Sequence, residues 1–168
     1  MFFRKKSVEN QEAEESKKIS KGYAIFLVAF LISLVFLKIW QYHWSEAVVS
    51  VGDVDNVSVL VAKTPWHWHR GLGKRESLEE HDGMLFLFPT SKRHGIVMRD
   101  MKFGIDIIWF SGNTVVDIAP FVPVEDVPEE QMRVYHPRDD ANMVLEVSAG
   151  WVREHGIKIG DALHVVQE

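Results

Sequence analysis

Cysteine is missing altogether from the 168 residues. That excludes disulfide staples, thiol catalysis and Cys-based zinc sites, so packing alone must hold any folded part together. Also missing are a phosphate-binding Gly-Lys loop, a dinucleotide glycine motif, a nucleophile elbow and a paired-histidine zinc-protease helix, so the common enzyme signatures give no lead. Between residues 43 and 62 there is no Lys or Arg.

The net charge of −5 is unevenly spread. Residues 1–42 hold seven Lys/Arg against four Glu, whereas residues 43–168 hold twelve against twenty Asp/Glu. A globular part carrying a net −8 repels a phosphate backbone, and nucleic acid is excluded as an expected partner.

What is present is one long apolar run. Residues 23–37 are interrupted only by Ser33, and snorkelling by Lys38 extends the run to residue 42. Twenty helical residues rise about 30 Å, the thickness of a bilayer's hydrocarbon core. Tyr23 stands at one edge and Trp40, Tyr42 and Trp44 at the other, where aromatic rings favour headgroups. Lys17, Lys18 and Lys21 precede the run, which predicts a single-pass anchor over 22–44 in contact with lipid, N-terminus in the cytoplasm. Residues 1–21 then form a polar cytoplasmic tail, and residues 48–168 a domain in the periplasm or outside the cell. A cleaved signal peptide is the competing reading, with Ser45 and Ala47 as a small-x-small site.

Beyond the run, short Val-, Ile- and Phe-rich stretches alternate with Gly, Pro, Asp and Asn. They predict strands at 57–62, 84–88, 105–110, 114–119, 143–147 and 162–167, and hence a mainly β domain, a small sandwich or barrel-like fold with short helices. Ser111, Gly112 and Asn113 make 105–119 an antiparallel hairpin. Thr64 and Pro65 open a short helix that Gly71 ends. Ser77 with Glu80 forms a capping-box pattern, and Ser148 caps a helix over 149–155 that Gly156 closes. The proline- and charge-rich stretch 122–140 reads as a long loop of the kind that binds or covers a site.

These elements arrive in a recognisable order. Arg70-Gly71-Leu72, the GMLFLF of 83–88, the MRDMKFGIDIIWF of 98–110, Val144-Leu145-Glu146 with Ala149-Gly150, and the GIKIGD of 156–161 together resemble the domain-of-unknown-function 192 family over about 57–166. The resemblance implies a small β-rich domain, often exported or membrane-anchored, without an agreed activity. Where the family has an aromatic pair before the methionine, this chain has Ile96 and Val97, and its usual Asn-Thr is Asp100-Met101.

Alternation puts Asp106 on one face with Ile108 and Phe110, so its carboxylate is either a tuned acid or ligand anchor, or an acceptor of backbone N–H groups. Glu146 could meet Arg70 or Arg99 in an ion pair. With the methionines of the motifs, the candidate ligand-binding set is Arg70, Met84, Met98, Arg99, Asp106 and Glu146. Trp66, Trp68 and His69 could stack on sugars, sit at a membrane interface or be partly buried. His67 and His69 lack a spacing-dictated third ligand, so neither metal nor cofactor is expected. The favoured function is a membrane-anchored binding or accessory module for a small ligand, a glycan or an envelope protein. The alternative is an envelope enzyme using Asp106, Glu146 and Arg70.

Overall fold

The computed structural model describes residues 21–38, 43–78 and 80–167. The expected tail over 1–21 lies outside them apart from Lys21, as do Trp40 and Tyr42. The chain divides into two compact units, residues 1–43 and 44–168.

In the first unit, α1 (Lys21–Lys38) is 18 residues long, and none of it is buried against the rest of the chain. Its length, about 27 Å at 1.5 Å per residue, and its composition suffice to cross a membrane.

The second unit is mainly β. Its strands are β1 (Ser45–Val51), β2 (Val54–Ala62), β3 (Gly83–Lys92), β4 (Ile105–Ser111), β5 (Thr114–Val122), β6 (Ala141–Ser148) and β7 (Leu163–Gln167). The short helices are α2 (Pro65–Arg70) and α3 (Trp151–His155), with one 3₁₀ turn at Glu129–Gln131. All seven strands join one mixed sheet in the order β5-β4-β6-β3-β2-β1-β7.

Each of the six expected strands is present. β1 is the addition, beginning at Ser45 directly after the stretch assigned to the anchor, and Gly52 with Asp53 turns it into β2 in antiparallel register. Gly52 has φ 58°, the conformation a two-residue hairpin needs. The hairpin β4–β5 is antiparallel as expected. β2 and β3 pair in parallel, which demands a crossover, supplied by α2 and the segment after it.

The sheet is curled, and its edges meet at one isolated bridge, Thr114 to Ala162, backed by Val115 N–H donating to Asp161 O at 2.8 Å. It is therefore a single sheet, not a two-sheet sandwich, and it stops short of a closed barrel. Alternate residues build two cores. Val49, Val59, Leu85, Ile108, Phe110, Leu145 and Val147 fill one face. Met84, Phe86, Met98, Ile107, Trp109 and Val144 fill the other.

Two helix assignments change. Residues 75–78 form no helix despite Ser77. α3 starts at Trp151 after Gly150, and no side chain of its own segment caps it, so Ser148 is not the N-cap. The cap comes from Asp106 on β4.

Candidate functional site

Thr64 and Pro65 start α2 as their chemistry requires, the Thr64 Oγ1 accepting the His67 N–H at 3.3 Å. In this turn, residues two apart point in different directions. Trp66 and His67 meet Trp44, with ring centroids 6.3 and 4.3 Å away, while Trp68 lies tilted against Phe88 at 5.2 Å and donates its Nε1–H to Ala62 O at 2.9 Å. The Trp-His cluster of the sequence is thus divided, and only its Trp68 and His69 reach the domain's cavity.

That cavity holds about 190 Å³. One wall is the end of α2 and its exit, with Trp68, His69, Arg70 and the Gly71–Gly73 segment; another is the stretch after β3, with Ile96, Val97, Arg99 and Met101; Phe86, Ile105 and Glu146 belong to the sheet. Gly73 permits the two walls to approach, since a Cβ there would lie 2.8 Å from the Arg99 carbonyl oxygen. Asp100 follows at φ 57°, a left-handed position that Asp, like Asn, tolerates. Ile96 and Val97, standing where the family resemblance implies an aromatic pair, form apolar lining.

The charged lining residues differ in how they are held. Arg99 is fixed, its guanidinium donating to Glu129 Oε1 at 2.5 Å and to the His69 carbonyl. Glu129 belongs to the long loop, whose Tyr135 also exchanges both backbone hydrogen bonds with Ile96. The Arg70 side chain has no hydrogen-bond or ion-pair partner among the described residues. Glu146, on β6, is only 4% exposed, and its carboxyl likewise has no partner among them. Burial pushes that carboxyl up to about 8, so it is largely neutral at pH 7.

The six candidate residues therefore part company. Arg70, Arg99 and Glu146 line one cavity. Met84 pairs with Glu146 across the β3–β6 ladder but is fully buried packing, as is Met98. Asp106 pairs with Val147 while Ile107 pairs with Glu146, and adjacent residues on a strand face opposite sides, so Asp106 and Glu146 occupy opposite faces of the sheet. Asp106 accepts N–H groups from Phe121 at 2.7 Å, Gly150 at 3.1 Å and Val152 at 2.8 Å. The trio Asp106, Glu146 and Arg70 is not assembled around a shared pocket. Phe86 and Met101 were not named as lining from the sequence; the crossover that brings α2 over β3 has no local signal there. Among the described residues no group of three His, Asp or Glu could hold a metal ion.

The motifs that carry the sequence resemblance contribute Arg70, Phe86, Arg99, Ile105 and Glu146 to this lining, and the comparison with known families agrees. Residues 47–165 match the model of domain-of-unknown-function 192, described as an uncharacterized ACR. The chain belongs to the domain-of-unknown-function 192 family. The family match begins at Ala47, within β1, and ends in β7, so it spans the whole sheet. No curated protein matches the chain. Among solved structures, a Sinorhizobium meliloti 1021 protein named as a candidate transcription regulator is similar, with TM-score 0.63, 23% identity, and coverage of 73% of this chain and 95% of that one. A protein of unknown function from Novosphingobium aromaticivorans DSM 12444 is similar at TM-score 0.61 and 24% identity, covering 72% of this chain and 84% of that one. At these identities the likeness concerns the fold.

Proposed function

We propose that this member of the family is a membrane-anchored binding module whose extracytoplasmic β domain holds a small ligand in the cavity lined by Arg70, Arg99 and Glu146. The observation that carries the reading is the Glu146 carboxyl, which has no protein partner and lines a cavity whose lining also includes Arg70, a residue with an unpaired side chain. With no protein partner, that carboxyl is left to water in the cavity, which a ligand replaces when it supplies the hydrogen bond itself. Small-molecule sites combine apolar walls with a few polar groups in this way.

Anchoring is supported by α1, whose length and apolar composition suffice to cross a membrane, and by the lysines on its N-terminal side. Retention of the anchor is favoured over cleavage near Ala47, because Ala47 is buried and pairs with Val59 in β1. The catalytic alternative has no comparable support once Asp106 is committed to the backbone.

The test uses the full chain in lipid nanodiscs, labelled with 5-fluorotryptophan. A fragment set containing acids, neutral molecules and amines is added, and 19F resonances are followed. Binding in the cavity shifts the Trp68 signal and leaves that of Trp151 in place. A set that moves neither resonance overturns the reading.

A further inference from the structure

We infer that the cavity selects a small organic carboxylate, its head group engaged by the Arg70 guanidinium and the Glu146 carboxyl and its apolar body lying against Trp68, Phe86 and Ile105. This rests on the binding reading above and adds the ligand's chemical class.

Three features of the lining lead there. The Arg70 fork is unengaged, and a guanidinium matches a planar carboxylate with two parallel hydrogen bonds. Arg99 is already satisfied by Glu129 and His69, and its charge is balanced by the Glu129 carboxylate, so it offers no free fork. Glu146 in its neutral form has an O–H to donate and no protein acceptor to receive it; a ligand carboxylate oxygen is such an acceptor.

An ammonium ligand fits less well, because the unpaired Arg70 cation shares the lining and repels it. The remaining lining is aliphatic or aromatic, which favours a ligand that is apolar away from its head. A volume of about 190 Å³ equals roughly six waters at ~30 Å³ each, the scale of a single-ring or short branched acid.

The arrangement couples binding to a proton. Ionising Glu146 places a second negative charge beside the ligand, so affinity falls as pH rises through about 8. The other titratable or charged groups facing the cavity are His69 and Arg70 from α2 and Arg99 from the segment after β3. On the adjoining strands, the residues paired with Glu146 are Met84 and Ile107, which carry no charge.

The experiment titrates benzoate, benzamide and benzylamine into the full chain in nanodiscs at pH 7 and pH 9.5, with Trp68 19F shifts and calorimetry as readouts. Benzoate is expected to bind tightest at pH 7 and to weaken about tenfold per pH unit above 8, roughly thirtyfold by pH 9.5. Glu146→Gln, which keeps an N–H donor, is expected to bind benzoate equally at both pH values, while His69→Gln keeps the wild-type pH dependence. Arg70→Met is expected to weaken benzoate at least tenfold and benzamide less than twofold. Equal benzoate affinity at the two pH values, or benzylamine binding better at pH 7, overturns the inference. If benzamide or benzylamine moves Trp68 and benzoate does not, the carboxylate assignment fails and the binding reading survives. If none of the three moves Trp68 and the wider fragment set is also silent, both fall together.

Discussion

The carboxylate of Asp106 accepts the backbone N–H of Val152 at 2.8 Å, joining the start of β4 to the first turn of α3 across 46 positions of chain. A bulge in β5 helps to make this possible. Ile105 pairs with Val122 and Ile107 with Ala119, so the two residues Pro120 and Phe121 stand opposite the single Asp106. Phe121, at φ 55°, turns its N–H to the same carboxylate at 2.7 Å, and Pro120 has no N–H to lose.

Removing that carboxylate should therefore be felt as stability, not as a lost ligand. Asp106→Ala leaves the N–H groups of Phe121, Gly150 and Val152 without their acceptor and is expected to cost about 3–5 kcal/mol by urea unfolding. Asp106→Asn keeps one acceptor oxygen and should cost less. Both variants should bind benzoate within about twofold of wild type wherever they remain folded; a selective loss of binding with unchanged stability would contradict the capping role.

Glu146 sets a pH dependence whose sign can be worked out. Its folded value of about 8 lies above the ordinary 4.5, so the native state holds a proton that the unfolded chain has already released. Its contribution is fully present below about pH 4.5 and declines as pH rises to about 8, with a slope of up to ~1.4 kcal/mol per pH unit. Thermal unfolding of Glu146→Gln at several pH values should show that component of the slope removed. An unchanged slope would mean the carboxyl is not desolvated as described.

Asp117 behaves in the opposite sense. Burial alone would raise its carboxyl, but it accepts hydrogen bonds from the Arg138 side chain at 2.7 and 3.0 Å, from the Arg138 backbone at 2.7 Å and from Ile118 at 3.0 Å, and these hold it below the ordinary carboxylate value. Its stabilisation is present above about pH 4 and is lost as pH falls through its lowered folded value. Arg138→Met is expected to lower stability slightly at pH 7, as a largely exposed partner implies, with a smaller difference from wild type at pH 2.5.

Gly83 opens β3 beside the Glu146 strand. A Cβ there would stand 2.4 Å from the Glu146 carbonyl oxygen and 2.9 Å from Val147 Cγ1, so Gly83→Ala must push β3 and β6 apart. We expect a loss of about 3 kcal/mol or failure to fold, measured by denaturation. Gly112→Ala, with open space around it but φ 58°, should cost only about 1 kcal/mol.

The absence of native cysteine makes topology directly measurable. A single cysteine at Ser91, which is exposed, should react with a membrane-impermeant maleimide in intact cells. One placed at Ser16 should react only after lysis. The reverse pattern would invert the proposed orientation.

By itself, the order of residues decided the apolar helix, the six strands with strong β-branched runs, the β4–β5 turn and the family, because each depends on local periodicity, turn chemistry or ordered motifs. It missed β1 because Ser45–Val51 directly follows the apolar run and merges with it in composition. Charged residues were the hardest to assign, since a carboxylate inside an apolar strand looks the same whether it caps a distant helix, as Asp106 does, or waits at a cavity, as Glu146 does. Only the tertiary structure separated them. Strand pairing places Val147 opposite Asp106 and Ile107 opposite Glu146, and that one-residue offset sends the two carboxyls to opposite faces of the sheet. The parallel β2–β3 crossover, which carries Arg70 over the sheet, is a non-local pairing that no short stretch of sequence encodes.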